Sequence, residues 1–414
     1  MYAVAAAVLS GGRDQVWSIW AACGYAVALV MLWRWPGRQG LLAAVLVSVA
    51  LAVLAPLLWL SVAYPLEDGM AVIDRAASLL LHHGTPYLAA DQVTRWLSYN
   101  PYLPVMTLFG LPSAAGLGGL AGNSGVWIAA GTVAVLAAAF RIAVPHRGCP
   151  ACRRDALLAT AIAVASPVVG LNLAVITTDP PVLALIVLAL ALAARSAATS
   201  RAAGPAGARV AGARAAGAGI ALGVACDLKS TAWLAVPVLA AMFAARDGAR
   251  TAIRFVVASL VTVAVLIAAL APAALTSRRE ADALIQNSVL FPLGLTKFKT
   301  PAESLLPGHL LTSMGTAGHA LSVGLLLAAG LGIAISLVIR PPRDVAAAAW
   351  RLAIGLALMF LLGPQVRFGY FIYPLGLVGW LALTQTAPAG TRTAPAASLE
   401  DLVDDGQQLP GHRP

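Results

Sequence analysis

The sequence predicts an all-α, polytopic membrane protein: a bundle of transmembrane helices plus one amphipathic helix lying at the membrane surface. Three observations predict it. Of 414 residues, 60% are hydrophobic and only 11% are charged, where a soluble domain carries about 25% charged residues. The apolar residues fall into runs, many of them close to the roughly 20 residues that cross a bilayer. Arginines concentrate in the short turns between those runs, as orientation in a membrane requires. The same clustering accounts for the formal charge of +10, so the basic balance does not point to nucleic acid.

Taken in order, the candidate spans are 16–33, 40–63, 103–120, 125–144, 156–176, 181–194, 210–226, 230–245, 253–275, 319–339, 345–362 and 369–384. The first has no basic stretch before it and no clear cleavage site after it, so it reads as a retained span. Residues 1–385 form one membrane domain. From 386 to 414 the chain is rich in Ala, Pro, Gly, Thr and Gln with an acidic patch, and reads as a disordered cytoplasmic tail. The segment 202–218 reads as an Ala/Gly/Arg linker.

Arg34 and Arg38, the group from Arg141 to Arg154, the group from Arg195 to Arg214, Arg246 to Arg254, and Arg340 with Arg343 place their turns in the cytoplasm. The stretch 64–104, the turns at Asp179 and Lys229, the loop 276–318 and the turn 363–368 then lie outside. One conflict follows. Two apolar runs, 103–120 and 125–144, separate the acidic stretch from the Arg141 turn, yet an odd number of crossings is needed. The reading adopted is that the two runs together cross once.

The stretch 64–104 is the longest in the first half that cannot sit in a bilayer. Met70, Ile73, Ala77, Leu80 and Leu81 recur at helical spacing, with Asp74 and Arg75 off that face. Gly84 and Thr85-Pro86 stop the helix. At its start stand Glu67 and Asp68. Asp68 suits an N-cap, but a cap explains one acid and not two. Asp179, before Pro180-Pro181, is either another cap or a functional acid. Lys229 either pairs with Asp227 or holds an anion. Arg367, flanked by Phe368, Tyr370 and Tyr373, belongs either to an interfacial aromatic anchor or to a phosphate site. Lys297 lies in the structured loop 276–318. Carboxylates on one side and cations on the other, all external, suit a substrate with a phosphate leaving group and a hydroxyl nucleophile. Cys23 and Cys226 read as packing residues, and Cys149–Cys152 is a lone C-x-x-C, which is weak as a zinc site.

The order of several short motifs resembles glycosyltransferase family 87. These are C-type membrane transferases that use polyprenol-phosphate sugars, including mannosyltransferases of actinobacteria. The motifs are the acid after an early span, Gly84-Thr85-Pro86-Tyr87, Tyr99-Asn100-Pro101-Tyr102-Leu103-Pro104, the segment from Gly223 to Leu239 around Lys229, and Val366-Arg367 to Leu375. The likeness runs from Gly40 to Thr384. It departs at Asn100, where the family usually has proline, and in the extra span before Gly40.

The resemblance implies a C-type transmembrane bundle that moves a sugar, mannose in the nearest cases, from a polyprenyl-phosphate donor to a lipid or glycan hydroxyl outside the plasma membrane, with inversion. It implies Asp68 as catalytic base with Glu67 beside it. Asp179, Tyr99, Asn100 and Tyr370 would line the substrate site, and Lys229, Arg367 and Lys297 would face the leaving phosphate. It leaves open a divalent metal between Asp68 and Asp179. The rival expectation is a transporter or lipid flippase, which needs polar groups along a path through the membrane.

Overall fold

A computed structural model describes residues 11–143, 150–200, 204–298 and 304–385. Cys149 and the Cys152 side chain of the C-x-x-C pair, and the tail 386–414, lie outside the described residues. Among the described residues the chain is an all-α bundle with no β-strand, and its apolar helices make it a multi-pass membrane protein.

Seven helices are long and apolar enough to span: Gly12–Arg34, Arg38–Ala63, Ser124–Ala143, Arg209–Leu228, Ala249–Leu270, Thr316–Ile339 and Val345–Leu362. An eighth span is broken. Arg154–Ala165 and Pro167–Ala174 meet at 69°, because Pro167 cannot continue the first helix and Ser166 caps the second through the Val169 N–H. The helices that open behind prolines are shorter than the apolar runs suggest. Pro237 and Pro374 must lie in a first turn, where no N–H is needed. The chain therefore enters through 3-10 turns, and the α-helices are Ala235–Asp247 and Ile372–Gln385.

The run 103–120 does not cross. It forms a 3-10 segment, Pro104–Gly110, and one α turn, Leu111–Ala114, before Gly116 turns back at φ +86. Only Ser124–Ala143 crosses there, which removes the parity conflict. The segment read as a linker is helix instead: Gly204–Leu228 is continuous, since alanine is the best helix former. Its Gly219 and Gly223 sit against Ala249–Leu270. A Cβ at Gly219 would lie 2.4 Å from the Phe255 carbonyl oxygen, and one at Gly223 2.7 Å from that of Ser259.

The Gly12–Arg34 helix is bound into the body by two hydrogen bonds to carbonyls freed by irregular backbone. Trp17 Nε1 donates to Ala52 O (2.8 Å), within the π-helical turn Ala50–Leu54. Tyr25 OH donates to Ala165 O (2.8 Å) at the broken span. The Arg-bearing turns collect at one end of the bundle, where Arg38 pairs with Asp155 (3.4 Å) and Arg214 donates to Arg195 O (2.7 Å). The acid-bearing turns collect at the other.

Candidate functional site

The predicted amphipathic helix runs Asp68–His83 and stops at Gly84 in the left-handed region, φ +70. Met70, Val72, Ile73, Ala76 and Ala77 are its buried face, while Leu81 points away from the protein. It lies on Pro104–Gly110 so closely that a Cβ at Gly110 would come within 2.7 Å of Ile73 O.

The cap belongs to Glu67, not to Asp68. The Glu67 carboxylate accepts the Gly69 N–H at 2.6 Å, while Asp68 is exposed and makes no hydrogen bond or ion pair among the described residues. The longer glutamate reaches the helix N-terminus from one residue earlier, which frees the aspartate. Glu67 also lies 3.8 Å from Arg367 Nη1. Burial pushes the Glu67 carboxyl above its ordinary 4.5; the Gly69 N–H and Arg367 oppose the rise, Asp68 adds to it and Arg13 opposes it.

Asp179 is 4% exposed and one oxygen, Oδ1, accepts from both Lys229 Nζ (2.6 Å) and Tyr373 OH (2.7 Å). Lys229 Nζ also sits 4.6 Å from the centre of the Tyr370 ring. Burial alone would lower the Lys229 ammonium, but Asp179 and the phenols outweigh it and raise it above its ordinary value. The turn carrying Asp179 holds a branched residue in the left-handed region, Ile176 at φ +66, which is costly for such a side chain. Its side chain packs where Gly125 leaves room: a Cβ there would be 2.0 Å from Ile176 Cγ2. Thr177 donates to Asn172 Oδ1 (2.9 Å), and Gly369 closes over that same oxygen.

Lys229 does not pair with Asp227. Asp227 is fully buried and accepts the Val105 N–H (3.3 Å) through Oδ2, while Leu228 O accepts the Leu103 N–H (3.3 Å). These bonds fix the loop that carries Tyr102. The Tyr102 phenol lies beside Glu67: a Cβ on Gly69 would be 2.9 Å from its OH and 2.8 Å from Glu67 Oε2. Burial holds this phenol up at about 12, with Lys229 pulling it down, Glu67 pushing it up and the Thr178 side chain pulling it down. The Arg367 turn is fixed from both sides by Ser304, whose N–H donates to Val366 O (3.2 Å) and whose Oγ accepts the Phe368 N–H (3.1 Å).

The structure thus brings together Glu67, Asp68, Asp179, Lys229, Arg367 and Tyr370 from four separate stretches. Tyr99, Asn100 and Lys297 stand apart. Tyr99 is buried and stacks on Phe291 (4.5 Å), and Asn100 is buried against the Asn287 side chain and Pro86 O. Lys297 lines a different cavity, about 390 Å³, with Asp282, Gln286 and Thr296. The residue of the Tyr99–Tyr102 motif that reaches the cluster is Tyr102. The sequence marks Tyr373 only as a flank of Arg367 and Tyr102 only as part of a motif, and it does not mark Arg13. The tyrosines look like interfacial anchors, and Arg13 precedes any run that marks a site. Among the described residues no three His, Cys, Asp or Glu side chains are placed to hold a metal, and Asp179 already serves an ammonium and a phenol, so the donor set does not fit a bridging ion.

No family model, curated protein or solved structure matches the chain.

Proposed function

We propose that the protein is a plasma-membrane glycosyltransferase that moves a sugar, most specifically mannose, from a polyprenyl-phosphate donor to a hydroxyl of a lipid or glycan on the external face. The observation that carries this reading is the convergence of two ion pairs, Lys229–Asp179 and Arg367–Glu67, beside the unbonded carboxylate of Asp68. Asp68 takes the acceptor proton as the acceptor oxygen bonds to the anomeric carbon. The bond from that carbon to the phosphate oxygen breaks, and its electron pair leaves with the polyprenyl phosphate. Lys229 and Arg367 stabilise the charge that develops there. A single direct displacement inverts the anomeric centre. No step is routed through a metal.

External placement rests on the Arg-rich turns at the opposite end. The transporter reading needs ionisable groups along a path through the bundle. It is disfavoured because, among the described residues, the two acids buried as whole residues, Asp179 and Asp227, both belong to the site end, and the buried Asp247 side chain is taken up by its neighbour Arg246. The test uses purified protein in lipid nanodiscs with several polyprenyl-phosphate sugars, each labelled in the sugar. We expect label from the mannose donor to appear on an acceptor. Label that stays on every donor, with membrane extract supplied as acceptor source, overturns the proposal.

A further inference from the structure

Arg13 is the second residue of the Gly12–Arg34 helix, and its guanidinium reaches two carbonyls far away in sequence. Nη2 donates to Pro65 O, and Nη1 donates to Val175 O at 3.5 Å. Both acceptors stand just past a helix end. Ala55–Ala63 closes before Pro65, and Pro167–Ala174 closes at Val175. Carbonyls there lack helical partners and favour a cation. Pro65 precedes Glu67 by two residues, and Val175 precedes Asp179 by four. The same guanidinium lies 6.0 Å from the centre of the Tyr64 ring.

We infer that Arg13 is a positioning residue that staples the two acid-bearing turns to each other and adds positive charge beside Glu67. The planar guanidinium offers N–H groups in two directions at once, which the single ammonium of lysine cannot reproduce in the same geometry. Its charge favours the ionised form of Glu67, together with Arg367 and against Asp68; the Tyr102 phenol, the other titratable group beside that carboxylate, is held neutral by burial. The extra first helix thereby supplies a side chain on which the site geometry depends. The ionisation effect rests on the proposed transfer reaction for its readout; the stapling does not.

The test compares wild type, Arg13→Gln and Arg13→Lys in full-length protein in nanodiscs. Hydrogen–deuterium exchange is followed in peptides covering 64–70 and 175–179, and the pH dependence of transfer is measured alongside. In both variants both turns should exchange roughly 5-fold faster, the scale of one lost hydrogen bond, with the other helices unchanged. In Arg13→Gln the acidic limb of transfer should move to higher pH, because losing a cation raises the Glu67 pKa. In Arg13→Lys that limb should stay, since the charge is kept. Unchanged exchange in either turn, or a rise spread over the whole bundle in both variants, overturns the staple. If wild-type protein transfers no sugar, the proposed reaction fails and the exchange measurement still decides the staple.

Discussion

At the scale of single residues, the acidic pair divides its work by length. Glu67 reaches back to the Gly69 N–H and toward Arg367, and Asp68 is left open to solvent. Asp68→Asn therefore removes no cap, and we expect loss of transfer by about 10²–10⁴-fold, as for a positioned base, with thermal stability unchanged. Near-normal turnover in this variant would remove Asp68 from the mechanism. Glu67 has the opposite signature. Its native carboxyl holds a proton more tightly than in the unfolded chain. Between the ordinary value and the raised native one, the folded state binds more protons, so stability falls as pH rises through that window. Glu67→Gln should flatten that slope in unfolding curves taken across acidic pH; an unaltered slope would mean Glu67 is not the group responsible. Gly69→Ala should disturb the site without touching a charge, because the added methyl meets Glu67 Oε2 and Tyr102 OH. A transfer rate equal to wild type would contradict that crowding. Part of this was legible beforehand. Asp179, Lys229 and Arg367 stand out in sequence because isolated charges at membrane turns are expensive. Which carboxylate pairs with which cation was not legible. Lys229 has Asp227 two residues away yet bonds Asp179 fifty positions earlier, and only the packing of separate helices decides that.

At the scale of elements, irregular backbone is matched by specific partners. Trp17 donates to Ala52 O in the π turn Ala50–Leu54, and Tyr25 donates to Ala165 O, at the break that Pro167 imposes. Hydropathy alone cannot see such breaks, which explains why the run 103–120 looked like a span and forms a short segment under the interfacial helix. The pair Gly219 and Gly223, by contrast, is written in the sequence as the G-x-x-x-G spacing that lets two membrane helices approach. Both glycines fall inside the candidate span 210–226, just past the stretch 202–218 that reads as a linker. Side chains added there meet backbone on Ala249–Leu270, which has little freedom to move. We expect Gly223→Leu to cost about 1–3 kcal/mol, the usual range for overpacking, seen as a lower unfolding temperature in detergent. Gly324→Ala is the control: nothing lies within 4 Å of a Cβ there, and alanine is the better helix former. Equal losses in both variants would show that the close contact at Gly223 carries no special weight.

At the scale of the whole molecule, the chain segregates its charges to two ends. At one, Arg38 pairs with Asp155, and the helices carrying Arg195 and Arg214 are joined by a hydrogen bond; turns with Glu67, Asp179, Lys229 and Arg367 meet at the other. The alternation is visible in the sequence because arginine placement follows membrane orientation, except across 103–144, where two apolar runs leave the number of crossings open. It also fixes a sidedness prediction that depends on neither the reaction nor the site residues. Gln39 is exposed beside Arg38, and Asp91 is exposed in the loop that pairs with Arg279 (2.7 Å). In a background with the native cysteines replaced, Asp91→Cys should react with a membrane-impermeant maleimide added to intact cells. Gln39→Cys should react only after the membrane is opened. If both label from one side, the two turns do not lie at opposite ends and the order of crossings is wrong. If the pattern is reversed, the bundle stands as described but the site faces the cytoplasm. An acceptor outside the cell is then impossible. The expected pattern places the open carboxylate of Asp68 where an external hydroxyl can reach it, at the level where the interfacial helix Asp68–His83 begins.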